Sequence, residues 1–496
     1  MRRAGLLALL FVFASTAAAA VQHGTARSDT IIGTPKADRI SALGGNDFVQ
    51  VAFGDTDRVD CGRGRDIVSA DLADRIASNC EVVSRRLSVD TYANSDSQHE
   101  TGVEPDSYAN GDTVVAVFQV GRRESGAAAN IGTAVSRDGG RTWVRGALRG
   151  TTPSSTPPGP EVGVSDPAVA WDAAHDVWLI SALAVERSFS HIYIARSTDA
   201  VHWSLPVDAS DGTVLDKEWI ACDNGATSPF RGRCYLEYSD DAANTTVSQY
   251  STDGGVTWSA PTVAGSILVG TQPVIQPNGT LVVVAGDYKN EEALTGSIVA
   301  LRSTDGGTTF APFTVADLQS ADNSPMRAIS LPSVEASANG TLYATWADCR
   351  FRKDCTENDL VLSTSTDGMA WTAPTRITSG TDAFIPGLAI DPAQPSRLAV
   401  VYAHFYGTCG KPPCILGTSI VQSRDGGKTW SAAQRLDAQR FSTSWLPRAE
   451  GGRMVGDYFS TSYADGRVVP VFALATSPLN GRFREAIFAA SLPPLG

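Results

Sequence analysis

The chain has 496 residues, and its 53 acidic side chains outnumber its 40 basic ones, which gives a formal net charge of −13. An acidic surface disfavours nucleic acid and anionic membranes as partners, but it is compatible with binding of divalent cations. The share of hydrophobic residues, 42%, is ordinary, so a chain of this length can bury a substantial core.

The first twenty residues predict export. Arg2 and Arg3 precede an apolar stretch at 6–13 and three alanines at 18–20, which is the order of a cleaved signal peptide. The alternative, an N-terminal membrane anchor, needs ~18 uninterrupted apolar residues, and neither this stretch nor any other segment of the sequence provides them. We therefore expect residues 1–20 to be removed and the mature protein to be secreted, extracellular and without membrane insertion.

The cysteines agree with export. They form four couples of neighbours along the sequence: Cys61/Cys80, Cys222/Cys234, Cys349/Cys355 and Cys409/Cys414. An even number in an exported chain predicts disulfides, here each with the next cysteine. Zinc is the competing interpretation, but no couple has C-x-x-C spacing and no histidine pair accompanies them.

Residues 21–87 are rich in Gly and Asp. Glycines recur beside Asp or Asn, and an apolar residue follows one or two positions later. This pattern is typical of a parallel β-roll, in which Asp side chains bind Ca²⁺ between successive turns. The segment resembles the hemolysin-type (RTX) calcium-binding repeats, and GGNDFV at 44–49 matches them best. Ca²⁺ takes about six to eight oxygen ligands, and the candidates are Asp38, Asn46, Asp47, Asp57 and Asp66. The alternative is a solvated, glycine-rich linker.

From residue 88 to residue 496 the chain repeats itself. The string S-x-D-x-G-x-T-W, with an aromatic last residue, occurs at 136–143, 251–258, 303–310 and 423–430, with shorter copies at 197–203 and 365–371. A regular period with four short strands per repeat is typical of propeller blades. Asp and Gly-Gly predict a tight hairpin turn, so we interpret the Asp of each string as a turn-former and not as a catalyst.

These strings resemble the BNR/Asp-box repeats, whose best-known members are the sialidases, over roughly residues 90–490. The resemblance implies an all-β fold, a β-propeller with seven blades favoured and six as the alternative, preceded by the small β-roll-like module at 21–87. In the seven-bladed form, strands after the last string and the segment around Leu87 to Tyr92 complete the final sheet.

Each repeat is expected to start its innermost strand with a turn such as Glu104-Pro105 or Asp166-Pro167. Closure of the ring brings these starts around one axis, so a site is expected there. The residues at or near the starts are Glu104, Asp106, Asp166, Asp216, Lys217, Glu218, Trp219, Gln272, Asp457 and Tyr458, with Arg122, Arg123, Arg327, Arg350 and Arg448 nearby.

The resemblance to sialidases also implies roles. In that family a Tyr activated by a Glu is the nucleophile, an Asp is the acid/base, and three arginines hold the substrate carboxylate. The late position of Tyr458 matches the nucleophile, and the further candidates are Asp457, Glu218 and Asp166 for catalysis and Glu104, Lys217, Trp219, Arg327 and Arg350 for substrate binding. The first repeat departs from the family, because it begins GVEPDSYA where sialidases have an Arg-Ile-Pro type motif.

Two functions follow as hypotheses. The first is a secreted glycoside hydrolase of exo-sialidase type that recognises and hydrolyses an extracellular glycan or glycoconjugate. The alternative is a non-catalytic propeller that binds glycan or protein, with Ca²⁺ stabilising the N-terminal module. We expect a monomer without an organic cofactor. Two arginines that converge with Tyr458 would favour the enzyme, whereas acids and Trp219 alone would favour binding.

Overall fold

The computed structural model describes residues 19–186, 189–210, 214–288 and 295–495. In these residues the regular structure is β-strand, apart from two single-turn 3-10 helices at Lys353–Cys355 and Thr443–Trp445. None of the described segments forms a helix long and apolar enough to cross a membrane. The predicted signal peptide at 1–20 lies almost wholly outside the described residues.

The N-terminal part is a β-solenoid of stacked coils. Its strands are β1 (Val21–His23), β2 (Thr30–Ile32), β3 (Arg39–Ser41), β4 (Phe48–Gln50), β5 (Arg58–Asp60), β6 (Ile67–Ala70), β7 (Arg75–Ile76) and β8 (Val82–Arg86). The odd-numbered strands pair in parallel in one sheet, and the even-numbered strands pair in parallel in a second. Between the two sheets, small and branched apolar side chains such as Ile40, Val49, Val59 and Val68 form a buried core.

The remaining strands form antiparallel repeats. They are β9 (Gly102–Asn110), β10 (Thr113–Arg122), β11 (Ala128–Ser136), β12 (Val144–Ala147), β13 (Gly163–Asp172), β14 (Val177–Val185), β15 (Ser190–Ser197), β16 (Val207–Asp208), β17 (Leu215–Cys222), β18 (Cys234–Asp240), β19 (Thr245–Ser251), β20 (Thr262–Ser266), β21 (Val269–Ile275), β22 (Leu281–Tyr288), β23 (Thr295–Ser303), β24 (Ala311–Gln319), β25 (Ser333–Ala336), β26 (Leu342–Asp348), β27 (Asp359–Ser365), β28 (Thr375–Arg376), β29 (Asp382–Ile390), β30 (Leu398–Phe405), β31 (Ile415–Ser423), β32 (Gln434–Arg435), β33 (Phe441–Ser442), β34 (Arg448–Ala449), β35 (Gly452–Arg453), β36 (Ser460–Ala464), β37 (Arg467–Ala475) and β38 (Glu485–Ala490).

The first strands of successive repeats contact one another around a central cavity. Within the described residues the contacts run from β9 to β13, β17, β21, β25, β29 and β36, and β36 contacts β9 again. The cavity has a volume of about 640 Å³. The first strands contact one another in sequence order, and residues near the starts of successive ones, such as Glu104, Asp166 and Lys217, become neighbours.

The fold class predicted from the sequence, a seven-bladed propeller with a small N-terminal roll, is wrong as stated. The fold is all-β, but it contains a β-solenoid of stacked coils that shares a sheet with the C-terminal strands, in the order β2-β4-β6-β8-β38-β37-β36. The first two repeats are also joined in one sheet through the pairing of Ala128 with Val164. The C-terminal strands are continued by β8, which ends at Arg86, directly before the predicted segment at Leu87 to Tyr92. The backbone N–H groups of Leu87 and Ser88 in that segment donate to the carbonyl of Ile487 in β38. An alternating pattern predicts strands but not which free edge each strand will cover.

All four predicted disulfides are confirmed. The Cα–Cα separations are 5.3 Å for Cys61–Cys80, 3.9 Å for Cys222–Cys234, 4.9 Å for Cys349–Cys355 and 5.5 Å for Cys409–Cys414. The first closes the end of the solenoid, and the second joins the paired strands β17 and β18. The competing zinc interpretation is therefore not needed.

The repeated strings form the predicted turns. In the first, Asp138 Oδ1 accepts hydrogen bonds from the backbone N–H groups of Arg141 and Thr142, at 3.1 and 2.9 Å. The two glycines, Gly139 and Gly140, have φ of 66° and 80°, a region that other residues rarely adopt. The same Asp–Thr arrangement recurs at Asp253, Asp305 and Asp425. These carboxylates stabilise turns, and none of the four lines the central cavity.

Candidate functional site

The first strands share an irregularity near their start. The pairing register shifts there, and Glu104, Asp166 and Lys217 have φ of 53°, 44° and 52°. For residues other than glycine, backbone angles of this kind cost about 1–3 kcal/mol. Such strain is found most often at functional sites. A bulge re-aims the side chain of the residue that it contains. In three successive repeats it brings a charged side chain to one place.

Five charged side chains meet at this place, and we call them the charge cluster: Glu104, Asp166, Lys217, Arg327 and Asp457. Lys217 Nζ lies 3.2 Å from Asp166 Oδ1, 3.2 Å from Asp457 Oδ2 and 3.7 Å from Glu104 Oε1. Arg327 donates to both oxygens of Asp457, at 3.2 Å from Nε and 2.9 Å from Nη2. Arg327 is the partly exposed member, and the other four are buried.

The charges of the cluster decide which members are ionised. Burial alone would raise the pKa of Asp457, but Lys217 and Arg327 outweigh burial and hold that pKa well below its usual range. Burial raises the pKa of Glu104 to about 8, although Lys217 opposes the shift. Burial would lower the pKa of Lys217, but the surrounding carboxylates raise it above its ordinary value. The cluster is thus built around an ionised Asp457 between two cations, and the pKa of the buried Glu104 beside it is raised.

A second layer holds Glu104 in place. Gln119 donates from Nε2 to Glu104 Oε2 and, over 2.9 Å, to Ser165 Oγ. Arg122 in turn donates to Gln119 Oε1 over 2.9 Å. Gln119 was not among the residues predicted from the sequence, although a single amide in the apolar run TVVAVFQV of β10 is a usable sign of a buried polar contact.

Two aromatic side chains adjoin the cluster. Lys217 Nζ lies 5.0 Å from the centroid of the Tyr458 ring, and the Trp219 ring meets Tyr458 edge-on at 5.0 Å between centroids. The Tyr458 hydroxyl donates to the Pro167 carbonyl over 3.3 Å. Burial raises the pKa of Tyr458 well above its ordinary value, and the carboxyl groups of Glu104 and Asp166 add to the shift. The hydroxyl therefore stays protonated.

The central cavity extends from these residues between the first strands. Lys217, Trp219, Asp457 and Tyr458 line it, together with hydroxyl and aromatic side chains that include Ser460, Thr461 and Tyr463. Residues from several of the predicted starts therefore line one cavity. Their chemical roles stay predictions.

Two further carboxyl groups line the cavity, Asp106 and Glu335. Asp106 accepts hydrogen bonds from Val169 N over 2.8 Å and from Ser460 Oγ over 3.2 Å. Burial raises the pKa of Asp106 to about 7, and burial with the Asp106 charge raises the pKa of Glu335 to about 8. Asp106 was among the sequence candidates, whereas Glu335 was missed because the apolar start of its repeat, Leu331-Pro332, carries no charge.

Several predicted residues are not part of the cavity lining, and Glu218 and Arg350 are two of them. Glu218 is buried, neither of its carboxyl oxygens has a hydrogen-bond partner, and burial raises its pKa well above its ordinary value. Arg350 binds Asp348, with Nε 2.8 Å from Oδ1 and Nη2 2.7 Å from Oδ2. The structure therefore does not join Arg350 to Arg327.

The predicted calcium ligands bind the backbone of neighbouring coils. Asp57 Oδ1 accepts from Asp38 N over 2.6 Å, and Asp66 Oδ1 accepts from Asp47 N over 2.7 Å. Asn46 Oδ1 accepts from the next coil over 3.0 Å. The Oδ2 atoms of Asp47, Asp57 and Asp66 are buried without a hydrogen-bond partner, so these oxygens are available to a cation, although no group of three or more potential ligands gathers within the described residues. Calcium binding stays a prediction.

Part of the chain matches a known protein family. Residues 111–341 match the family model of the BNR repeat-like domain. No curated protein matches the chain. Similar solved structures include a protein of unknown function from Dyadobacter fermentans, at 17% identity, TM-score 0.44, and 68% coverage of this chain and 99% of that one.

Two further similar structures are those of a microbial sialidase and a phage endosialidase. A Hadza microbial sialidase has 15% identity and a TM-score of 0.45, and the phage phi92 endosialidase has 11% identity and a TM-score of 0.46. Each match covers 82% of this chain and 69% of the other. The match to the BNR repeat-like domain supports the predicted resemblance to BNR repeats over residues 111–341.

Proposed function

We propose that the chain is an extracellular protein that recognises a glycan in the central cavity. The observation that carries this proposal is the lining of the cavity, where Trp219 and Tyr458 lie beside the hydroxyl groups of Ser460 and Thr461. Small-molecule sites combine apolar and aromatic walls with a few placed polar groups, and a sugar offers a ring face and hydroxyls to such a lining. The BNR repeat-like match and the predicted export agree with an extracellular glycan or glycoconjugate as partner.

Hydrolysis of exo-sialidase type has weaker support. An attacking Tyr needs a base that takes its proton, yet the Tyr458 hydroxyl donates to a carbonyl and its pKa is raised. Arg327 is already held by Asp457, and Arg122 is held by Gln119. Among the described residues, one arginine rather than two or three meets the cluster, which favours the binding function.

A second candidate is hydrolysis of a neutral glycosidic bond by Asp106 and Glu335. Two carboxyl groups beside one cavity suffice for this chemistry when one is protonated and the other ionised. Glu335, whose pKa is about 8, would donate its proton to the leaving oxygen as the bond to the anomeric carbon breaks. Water would then add to that carbon and lose a proton to Asp106, the carboxyl group with the lower pKa of the two.

Binding to a glycan array, followed by titration with the best glycan, tests the proposal. Trp219→Ala removes an aromatic wall of the cavity, so the affinity should fall by about tenfold or more. Trp445→Ala, which removes an aromatic side chain outside the cavity, is the matched control and should keep the affinity. A wild-type protein that retains no glycan, or equal losses in both variants, would contradict the proposal.

Assays of released sugar separate the two candidates. If the protein hydrolyses its glycan, Glu335→Gln should abolish release and leave binding nearly intact, because the substitution removes the proton and little volume. Tyr458→Phe should leave release unchanged. Loss of sialoside turnover in Tyr458→Phe alone would restore the exo-sialidase hypothesis.

A further inference from the structure

The outer face of the solenoid sheet β1-β3-β5-β7 carries a column of arginines. Arg39 pairs in register with Arg58, and Arg58 pairs in register with Arg75. All three side chains are exposed, whereas the adjacent Ile40 and Val59 are buried. Because neighbouring parallel strands lie about 4.8 Å apart, the Cα atoms of the three arginines form a row about 10 Å long.

This arginine column lacks counter-charges. None of the three side chains forms an ion pair or side-chain hydrogen bond with a residue that the structure describes, whereas nearby Lys36 pairs with Asp55 at 3.6 Å. Like charges directly opposite each other on neighbouring strands are destabilising. A row of unpaired cations in a chain with a net charge of −13 is therefore a costly concentration of positive charge.

A groove runs along the same face. It has a volume of about 490 Å³ and is lined by the arginine column and by a second, polar column that includes His23, Ser41 and Asp60. Asp60 is engaged locally, because its Oδ1 accepts from Asn79 Nδ2 over 2.8 Å. The groove thus combines a line of cations with hydroxyl and imidazole groups.

We propose that this groove binds a linear polysaccharide that carries carboxylates, with the polymer lying across the strands along the arginine column. Each guanidinium can donate two parallel hydrogen bonds to a carboxylate. His23 and Ser41 would meet sugar hydroxyls. The site lies on the solenoid and not at the central cavity, so the inference is independent of the proposed function.

The charge distribution favours this ligand over other polyanions and over a second copy of the chain. Duplex DNA carries one negative charge per about 1.7 Å of its axis, a denser row than three arginines on strands about 4.8 Å apart can match. A second copy would gain little from burial, because the outward side chains of the groove are mostly charged or polar.

Calorimetric titration of the full chain with polygalacturonate tests the proposal. We expect saturable binding that weakens as salt is added, since the contacts are exposed charges. The triple variant Arg39→Gln, Arg58→Gln and Arg75→Gln should bind about tenfold or more weakly. The matched control is Arg149→Gln with Lys411→Gln and Lys428→Gln, which removes three exposed cations from the antiparallel repeats and should bind like the wild type.

Three results would overturn the proposal. They are wild-type binding no stronger to polygalacturonate than to uncharged dextran, equal losses in the two triple variants, and tighter binding to duplex DNA than to polygalacturonate. Circular dichroism checks that the variants keep their β-structure. Should the triple variant fail to fold, Arg58→Gln alone should still weaken binding by about threefold or more, and an unchanged affinity would equally overturn the proposal.

Discussion

The charge cluster and the arginine column show two ways in which one chain concentrates charge. The cluster mixes signs, with Lys217 and Arg327 in contact with Asp457, and all of its members except Arg327 are buried. The column has one sign and is exposed. Burial makes an unpaired charge very costly, and the buried cluster places opposite charges in contact, whereas water screens the repulsion on the solenoid face. An unpaired exposed row is therefore a sign of a ligand, while a paired buried cluster also has a structural role.

Loss of the central carboxylate should have the largest effect. Asp457→Asn leaves Lys217 and Arg327 facing each other in a buried site, and we expect it to lower the free energy of unfolding by about 3–5 kcal/mol. Urea denaturation measures the change. Asp465→Asn, which breaks the exposed pair with Arg141, is the control and should cost about 1 kcal/mol or less. If the two substitutions lowered the free energy of unfolding by similar amounts, burial would not make the ion pairs of the cluster more important for stability than a surface ion pair.

An intermediate effect is expected inside the solenoid. Burial, with the charges of Asp74 and Asp38, raises the pKa of Asp57 to about 7 from an ordinary value near 3.8. The folded state therefore holds this proton where the unfolded state has lost it, so stability should fall as the pH rises from about 4 to about 7. Asp57→Asn keeps the acceptor for Asp38 N and should raise stability at pH 8 by on the order of 2 kcal/mol.

Melting curves at several pH values, with Ca²⁺ and with chelator, measure this effect. If the coils bind Ca²⁺ through Asp57, the cation should stabilise the wild-type protein at pH 8 and should stabilise Asp57→Asn less. A wild-type stability that rises between pH 4 and pH 7, by an amount that Asp57→Asn removes, would contradict a raised pKa at this carboxyl group.

The smallest effect concerns the middle of the arginine column. Arg58 has an arginine on each side, so Arg58→Gln relieves repulsion and should raise stability by about 0.5 kcal/mol at low salt. The gain should disappear in high salt, where exposed charges are screened. Arg149→Gln, on the antiparallel repeats, is the control and should show no such gain. Destabilisation by Arg58→Gln at every salt concentration would contradict this expectation, because it would show that Arg58 makes a stabilising contact in the folded protein.

Much of the antiparallel part could be predicted from sequence because its information is local. The disulfides join nearest neighbours, and each Asp of a repeated string, such as Asp138, binds backbone only three or four residues away. The sheet that the coils share with the C-terminal strands could be read only in part. The segment around Leu87 was expected to complete the final sheet, and Arg86 of β8, directly before it, lies opposite Phe488 of β38. Nothing in the sequence indicated that the coils before Leu87 would continue the same sheet.

The candidate site could also be predicted only in part, because the sequence indicated which residues come together but not their hydrogen-bond partners. Repeat position predicted that Lys217, Asp457 and Tyr458 come together, because equivalent positions in a ring of strands become neighbours. It could not predict the partners that decide the chemistry. The Tyr458 hydroxyl reaches the Pro167 carbonyl, and Arg350 turns to Asp348 two residues before it, both through side-chain orientation.

The position of β38 has a consequence for how the chain acquires its structure. This strand pairs with β8 on one side and with β37 on the other, and Ser88 Oγ accepts from Ile487 N across 399 positions of sequence. Closing so long a loop is slow compared with forming each meander or coil. Until β38 arrives, two open strand edges face water, and open edges recruit other chains. By covering both edges, the six residues of β38 protect a newly made chain from aggregation and also complete its sheet.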